Sequence, residues 1–341
     1  MDQNNLVKLS SITKKICVAL LGAFLLIFLL VHASANLCIL RADEGTWYTD
    51  FCHFFGTNYV IKVFEVILMA AFLFHICLSL YLQVENRKAR GTVRYHHASK
   101  TKTHAGSKLM MWTGILILAF LVMHLMQFWC VKLGMVDGKY MVKSEEVQKI
   151  LQKTDNFEAL QMPMQLAQEA VQSKTTPAQL IDDEIAKMKS EIAMMANDST
   201  QSMMIPSYEE YVAQLESEKD NVVATASVLY GLMNGDKYTH NLTVEQKEVL
   251  VAMNHEFEEA IEPDFYVMTR EKFKIWWMDL IYIITFVVLW IHMRHAFQSA
   301  FQTLGLNNLK YGKAIDICAV LYATLICLMF TAVPVLVFLG F

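Results

Sequence analysis

Hydrophobic residues are concentrated in five runs along the chain, and polar residues fill the stretches between them. Each run is at least about 20 residues long, which is the length that an α-helix needs to cross the roughly 30 Å hydrocarbon core of a bilayer. The first run is too long for a cleavable signal peptide, and no small-residue cleavage site follows it. The pattern predicts five membrane-spanning helices near residues 16–35, 59–83, 109–133, 275–296 and 315–339.

The long stretch between the third and fourth runs has a different pattern. Apolar residues recur at helical spacing in "SEEVQKILQK", "PAQLIDDEIAKMKSEIAMMA" and "SYEEYVAQLESEK", and Ser or Pro stands where each helix would start. We therefore expect an all-α fold in three parts. These parts are membrane helices 1–3 over residues 1–133, a mostly helical extracytoplasmic insertion over 134–274, and membrane helices 4–5 over 275–341.

Basic residues indicate the orientation. Lys and Arg cluster before the first run, between the second and third runs, and after the fourth. Since short basic loops stay on the cytoplasmic side, we expect a multi-pass inner-membrane protein with its N-terminus in the cytoplasm and its C-terminus outside. The insertion, with 25 acidic and 13 basic residues, then lies outside. The basic loop at 87–108 could contact lipid headgroups or a docked protein, although topology alone explains most of it, and we expect no nucleic-acid partner.

Composition adds two constraints. With 55% hydrophobic residues the chain is too apolar for an ordinary soluble domain, and its 18% charged residues must be segregated from the five runs. The seven cysteines form no CxxC pair and so indicate no metal site. Cys38 and Cys52 share one outer loop, where a disulfide would be possible in an oxidising compartment.

Four of the eleven histidines lie one to a run in the first four runs, at His32, His75, His124 and His292. Ionisable side chains in a membrane helix are costly and usually face the interior of the bundle. With a rise of 1.5 Å per residue, His75 lies ~12 Å and His292 roughly 5 to 10 Å from the cytoplasmic ends of their helices, whereas His32 and His124 lie ~24 and ~22 Å away. These depths predict an inner pair, His75 and His292, and an outer pair, His32 and His124.

Two axially ligated metal centres would explain these pairs. Neutral imidazole is a common metal ligand, and helix bundles build cofactor sites from facing side chains. The hypothesis is therefore two b-type haems inside a four-helix bundle. A macrocycle between helices also needs small neighbours, although small residues serve equally for close packing of membrane helices. The candidates are Gly22, Ala23, Ala70, Ala71 and Gly114.

The chain resembles the single-chain dihaem cytochrome b anchor of succinate:quinone oxidoreductases, that is, of succinate dehydrogenase or quinol:fumarate reductase. The similar segments are "SSITKK", "HASANL", "FHICLSLY", "VMHLMQFW" and, most specifically, "HMRHAFQSAFQTLG". The resemblance covers roughly residues 1–134 and 265–341, and the insertion departs from the short connection that is usual in this family.

The resemblance implies that His292, and not His295, is the fourth haem ligand. It also implies that the chain does no succinate chemistry itself. A flavoprotein subunit and an iron-sulfur subunit would dock on its cytoplasmic side, and electrons would pass through two haems b to or from a membrane quinone, with menaquinone favoured. Some similar proteins carry an acidic residue two positions before the fourth ligand, where this chain has Trp290, so a proton path through such an acid is in doubt here.

A quinone site also needs proton-transferring groups. Glu65 and Asp279 are the acidic residues toward the outer ends of the predicted helices. Glu65 is the candidate quinone or proton site, although a structural hydrogen bond explains it equally well. For Asp279, a position at the start of a helix in the headgroup region is the simpler explanation.

Two other functions remain open. The dihaem cytochrome b of a membrane hydrogenase or formate dehydrogenase also uses transmembrane histidines, although the "FQSAFQTLG" segment argues against it. A membrane sensor with an outer domain is the non-redox alternative, but the longest inner loop of about 25 residues leaves no domain to receive a signal. The sequence does not indicate whether succinate is oxidised or fumarate is reduced.

Overall fold

The computed structural model describes residues 10–91, 105–153, 158–196, 204–307 and 310–341, without the side chains of 105–108, 158 and 159. The chain forms two compact units. One, called the membrane unit below, contains residues 1–126 and 269–341, and the other, the insertion unit, contains residues 127–268. Each unit is described by itself.

Helices make up nearly all of the described chain, as the sequence predicts. In chain order they are α1 (Ser11–Leu37), α2 (Thr46–Thr57), α3 (Tyr59–Arg90), α4 (Ala105–Gln127), α5 (Trp129–Lys132), α6 (Ser144–Lys153), α7 (Glu158–Ser173), α8 (Pro177–Met195), α9 (Ile205–Asn234), α10 (Val244–Met253), α11 (Phe257–Ala260), α12 (Phe265–Phe273), α13 (Trp276–Thr303) and α14 (Gly312–Phe338). The strands are β1 (Tyr140–Lys143), β2 (Tyr238–Leu242) and β3 (Ile261–Pro263).

The prediction of five membrane-spanning helices is confirmed. Five apolar helical segments among the described residues are long enough to cross a bilayer, so the chain is a multi-pass membrane protein of the all-α class. They run over Ser11–Leu40, Tyr59–Arg90, Leu109–Lys132, Trp276–Thr303 and Gly312–Phe338.

The spanning helices begin and end at recognisable signals. The hydroxyl of Ser10 accepts a hydrogen bond from the Thr13 amide at 3.1 Å at the start of α1, and the Asn58 side chain accepts from the Val60 amide at 2.9 Å at the start of α3. Such N-caps satisfy amides that have no partner within the helix. Gly305 follows the end of α13, and its φ of +74° favours glycine because a side chain strains this left-handed conformation.

Packing within the membrane unit is uneven. Close backbone approaches join α1 to α3, α13 and α14, and they also join α13 to α14. In the described part of the unit, α4 makes almost no such approach to these helices. Bulky side chains bridge the distance instead, since the Phe120 ring of α4 meets the Tyr282 ring of α13 with centroids 4.8 Å apart. Helix α4 therefore stands farther from its neighbours than directly packed helices do.

The insertion unit is mostly helical, as predicted, and helices form at all three segments named from their spacing. Helix α8 starts at Pro177 with Thr176 as its cap in a reciprocal capping box. The sequence did not predict the antiparallel sheet of order β2-β1-β3, in which Tyr140 pairs with Leu242 on one side and with Pro263 on the other.

The insertion unit has two hydrophobic cores. One lies where the sheet meets α6, α9, α10 and α11, and its members include Val142, Leu242, Leu250 and Phe257, each at most 1% exposed. The other lies between α8 and α9, around Ile181 and Leu215. This burial shows that the insertion has a folded interior of its own.

One buried carboxylate links the sheet to α12. Asp264 has no exposed side-chain surface, and its two oxygens accept three hydrogen bonds. Oδ2 accepts from His240 Nδ1 at 2.9 Å and from the Asn241 amide at 3.0 Å. Oδ1 accepts from the Val267 amide at 3.0 Å, as a helix cap does. Asp264 thereby fixes the end of β2 against the start of α12.

Candidate functional site

The outer pair of histidines meets between α1 and α4. The rings of His32 and His124 have their centroids 6.0 Å apart and their planes at 76°. Phe28 stacks beside His32 at 5.3 Å, and Phe120 stacks beside His124 at 5.7 Å. The sequence predicts this pairing from helix depth alone, and the structure brings the two side chains together.

The inner pair lies between α3 and α13. His292 is near enough to His75 for their charges to interact. The Cε1 atom of His75 lies 3.4 Å from where a Cβ on Gly22 would be, and the same atom of His292 lies 3.5 Å from where a Cβ on Gly114 would be. His75 therefore rests against a glycine of α1, and His292 rests against a glycine of α4.

These contacts fix two levels in the bundle. Gly22, which touches His75, precedes His32 on α1 by ten residues, and Gly114, which touches His292, precedes His124 on α4 by ten residues. Ten residues of α-helix rise about 15 Å. Two different helices thus give the same separation, and the four histidines form two pairs about 15 Å apart along the bundle.

Hydroxyl groups contact the Nδ1 atoms of two of the four histidines. His124 Nδ1 lies 3.3 Å from the Tyr282 hydroxyl, and His292 Nδ1 lies 3.1 Å from the Thr113 hydroxyl. An imidazole that donates through Nδ1 keeps Nε2 available as a ligand, and such partners orient metal-ligating histidines. Sequence reasoning missed both hydroxyls, because each belongs to a different helix from its histidine and no local spacing links them.

Several features of the two pairs fit a haem iron. Two imidazoles that share a metal, with bonds of about 2.0–2.1 Å, have ring centres roughly 6 Å apart, as His32 and His124 do. That distance also suits a plain aromatic contact. Two imidazoles per level suit axial ligation of a macrocycle, which supplies the remaining bonds itself.

Small residues and a loosely packed helix lie beside the histidines. All four histidines are half-buried. Gly22 and Gly114 contribute no side chain at the inner level, and α4 stands apart from its neighbours. These features would hold a flat cofactor between helices, so the residues present fit two haems.

Three residues near His292 on α13, namely Trp290, Arg294 and His295, make contacts of their own. Trp290 donates from Nε1 to the Thr324 hydroxyl at 3.0 Å and so links α13 to α14, while the Arg294 guanidinium lies 5.5 Å from the Trp290 ring centre. His295 is half-buried one turn beyond His292 and interacts with it electrostatically. Of the two histidines, His292 is the one that lies beside Gly114 and Thr113.

The two acidic candidates differ in their surroundings. Glu65 is half-buried on α3 and takes part in an interaction within the chain. Asp279 lies in the first turn of α13 with 7% of its surface exposed. Its Oδ1 atom is buried and has no hydrogen-bond partner in the described residues.

The remaining expectations concern the loops. None of the seven cysteines, which all lie in the described residues, forms a disulfide, so Cys38 and Cys52 are not bridged. Burial raises the pKa of the nearby Tyr48 phenol well above its usual range. Most of the basic loop at 87–108, the expected docking surface for partner subunits, lies outside the described residues.

Comparisons of the chain with protein-family models, with curated proteins and with solved structures found no match. The family resemblance therefore depends on the motifs in the sequence and on the geometry of the four histidines.

Proposed function

We propose that this chain is the cytochrome b membrane anchor of a succinate dehydrogenase or quinol:fumarate reductase. The observation that carries the proposal is the meeting of four transmembrane histidines in two pairs about 15 Å apart. One histidine on a membrane helix is explained by a hydrogen bond between helices. Four histidines that meet in pairs at two levels need a common cause, and two axially ligated haems b supply one.

In this proposal the protein holds each cofactor and sets its surroundings. His75 and His292 would hold the inner haem, and His32 and His124 would hold the outer haem. Bound haem supplies reversible one-electron chemistry at its iron. The chain contributes the spacing between the two centres, aromatic walls at Phe28 and Phe120, and the low dielectric of the bundle.

The basic residues near α1, α3 and α14 support an orientation with the inner pair toward the cytoplasm. A flavoprotein and an iron-sulfur protein would dock there and carry out the succinate or fumarate chemistry. A membrane quinone, with menaquinone favoured, would react near the outer pair. The chain is then the quinone-reactive subunit of the enzyme.

Haem content tests the proposal directly. The purified wild-type protein is expected to contain two haems b per chain, measured by the pyridine haemochrome method against protein concentration. A flavoprotein and an iron-sulfur protein are expected to copurify with it. A hydrogenase or molybdenum subunit in their place would assign the chain to the related dihaem cytochromes, and a haem stoichiometry of zero would end the cytochrome proposal and favour a sensor.

The two hydroxyl contacts give a separate prediction for each level. Tyr282→Phe removes the partner of His124 Nδ1, and Thr113→Val removes the partner of His292 Nδ1. Because loss of such a partner typically weakens metal binding by about 10 to 100-fold, each variant is expected to hold one haem more weakly and to shift its midpoint potential. A redox titration combined with haem loss to a haem-free acceptor protein measures both effects. An equal change at both haems in either variant would contradict the assignment of one hydroxyl to each level.

A further inference from the structure

Helix α13 carries one acidic side chain in its buried stripe. Asp279, Tyr282 and Phe286 recur at helical spacing on one face and are 7%, 4% and 7% exposed. Aromatic neighbours surround this stripe, since the Phe273 and Phe120 rings meet the Tyr282 ring edge-on, with centroids 4.9 and 4.8 Å away. A carboxyl group therefore occupies a position where the helix otherwise buries aromatic side chains.

The carboxyl group of Asp279 lacks the contacts of a structural aspartate. An aspartate that stabilises the start of a helix usually accepts a backbone amide of the first turn, but Asp279 Oδ1 is buried and accepts no hydrogen bond from the residues that the structure describes. An unsatisfied buried carboxyl is costly, and such a group in a native protein calls for a ligand, water or function.

Asp279 also lies close to the outer histidine pair. It precedes Tyr282 by three residues on α13, which is one helical turn, and the Tyr282 hydroxyl contacts His124 Nδ1 at 3.3 Å. Asp279 precedes His292 by 13 residues, or about 20 Å along the helix, so it lies beyond the outer level when seen from the inner one. It is thus positioned one turn past the outer pair.

We propose that Asp279 is the catalytic residue that exchanges protons with the membrane quinone beside the outer histidine pair. Its Oδ1 atom would contact a hydroxyl or carbonyl oxygen of the quinone ring. This inference rests on the proposed function. It adds Asp279 to Glu65 as a candidate proton-transferring group.

The protons and electrons balance both for quinol oxidation and for quinone reduction. Oxidation of one quinol to quinone breaks two O–H bonds and releases two protons and two electrons. The electrons would leave one at a time to the haem that His32 and His124 would hold under the proposed function. The protons leave one at a time through the Asp279 carboxyl to the outer aqueous phase, and quinone reduction takes up the same two protons and two electrons in reverse.

Haem reduction by quinol tests this role in the assembled complex. Asp279→Asn keeps the size of the side chain but cannot take up a proton, so reduction of the haems by a water-soluble naphthoquinol should slow by about 10²-fold, the usual contribution of one acid–base group. Reduction by dithionite should still reach both haems. Asp279→Glu should be faster than Asp279→Asn, and the control Asp316→Asn, at an exposed residue of α14, should match the wild type.

Chemical labelling of the wild-type protein gives a second test that does not depend on assembly of a variant. A hydrophobic carbodiimide should modify Asp279, as located by peptide mass spectrometry, and added naphthoquinone should slow that reaction. An unlabelled Asp279, a label that quinone does not slow, or an Asp279→Asn protein that quinol reduces at the wild-type rate would overturn the inference. Those results leave the haem proposal standing, whereas wild-type protein without haem overturns the proposed function itself.

Discussion

His32→Ala protein is expected to bind one haem b per chain in place of two, and His75→Ala protein is expected to lose the other haem. The reason is that His32 faces His124 at one level and His75 is near His292 at the other. Each substitution would leave one haem with a single imidazole ligand. Reduced-minus-oxidised spectra and pyridine haemochrome quantification of each variant measure the loss.

Double variants test the pairing itself. His32→Ala combined with His124→Ala should lose no more haem than His32→Ala alone, because both changes affect one centre. His32→Ala combined with His75→Ala should lose both haems. Effects at separate centres add, whereas effects at a shared centre do not.

Two controls should keep both haems, namely His295→Ala, one turn beyond His292, and His255→Ala, at an exposed residue of the insertion unit. The pairing is wrong if His32→Ala protein retains two haems.

Asp264→Ala is expected to destabilise the insertion unit by about 3 to 5 kcal/mol, the usual effect of removing one partner from a buried, hydrogen-bonded pair. The change leaves His240 Nδ1 and the amides of Asn241 and Val267 without their acceptor. Hydrogen exchange of the full-length protein, followed by mass spectrometry, should show the amides of β2 and of the first turn of α12 exchanging at least about 10²-fold faster, since each 1.4 kcal/mol is a factor of ten.

Two further variants separate charge from hydrogen bonding in that prediction. Asp264→Asn keeps the acceptor oxygen for Val267 and should show a smaller effect than Asp264→Ala. Asp220→Ala, at an exposed residue of α9 in the same unit, should leave the exchange of β2 unchanged. Unchanged exchange in Asp264→Ala would mean that the three hydrogen bonds do not hold the sheet to α12.

The membrane helices were predictable because one physical signal, the length of an apolar run, decides whether a helix can span a bilayer. Their ends were less predictable. Helix α3 continues to Arg90 and α13 to Thr303, seven residues past the predicted ends at 83 and 296. A helix does not stop where the hydrocarbon stops, because its backbone hydrogen bonds are equally satisfied in the headgroup region. The stop comes at a local signal such as Gly305.

The sheet of the insertion unit could not be predicted in the same way. Its strands are three to five residues long, too short for an alternating pattern to stand out from noise. The partners are also distant in the chain, since Tyr140 pairs with Leu242 and with Pro263. Helix α2 was missed because its aromatic residues occupy what reads as a connecting loop.

The site was predictable where depth alone places a side chain. Counting residues from the helix ends was enough to place His32 opposite His124, because two straight helices convert sequence distance into height. The same counting says nothing about which way a hydroxyl points from another helix, so Tyr282 and Thr113 were missed. The unpartnered oxygen of Asp279 could not be predicted either, because whether a polar atom is hydrogen-bonded depends on its neighbours in space.

The distance of α4 from the other membrane helices has a consequence for biogenesis. A helix that makes few direct backbone approaches gains little van der Waals attraction from its neighbours, and in lipid no hydrophobic force replaces that attraction. A group bound beside His124 and Gly114 would then hold this helix against its neighbours. If haem binds there as proposed, porphyrin supply would limit how much of the newly inserted polypeptide matures and how much is left for membrane proteases.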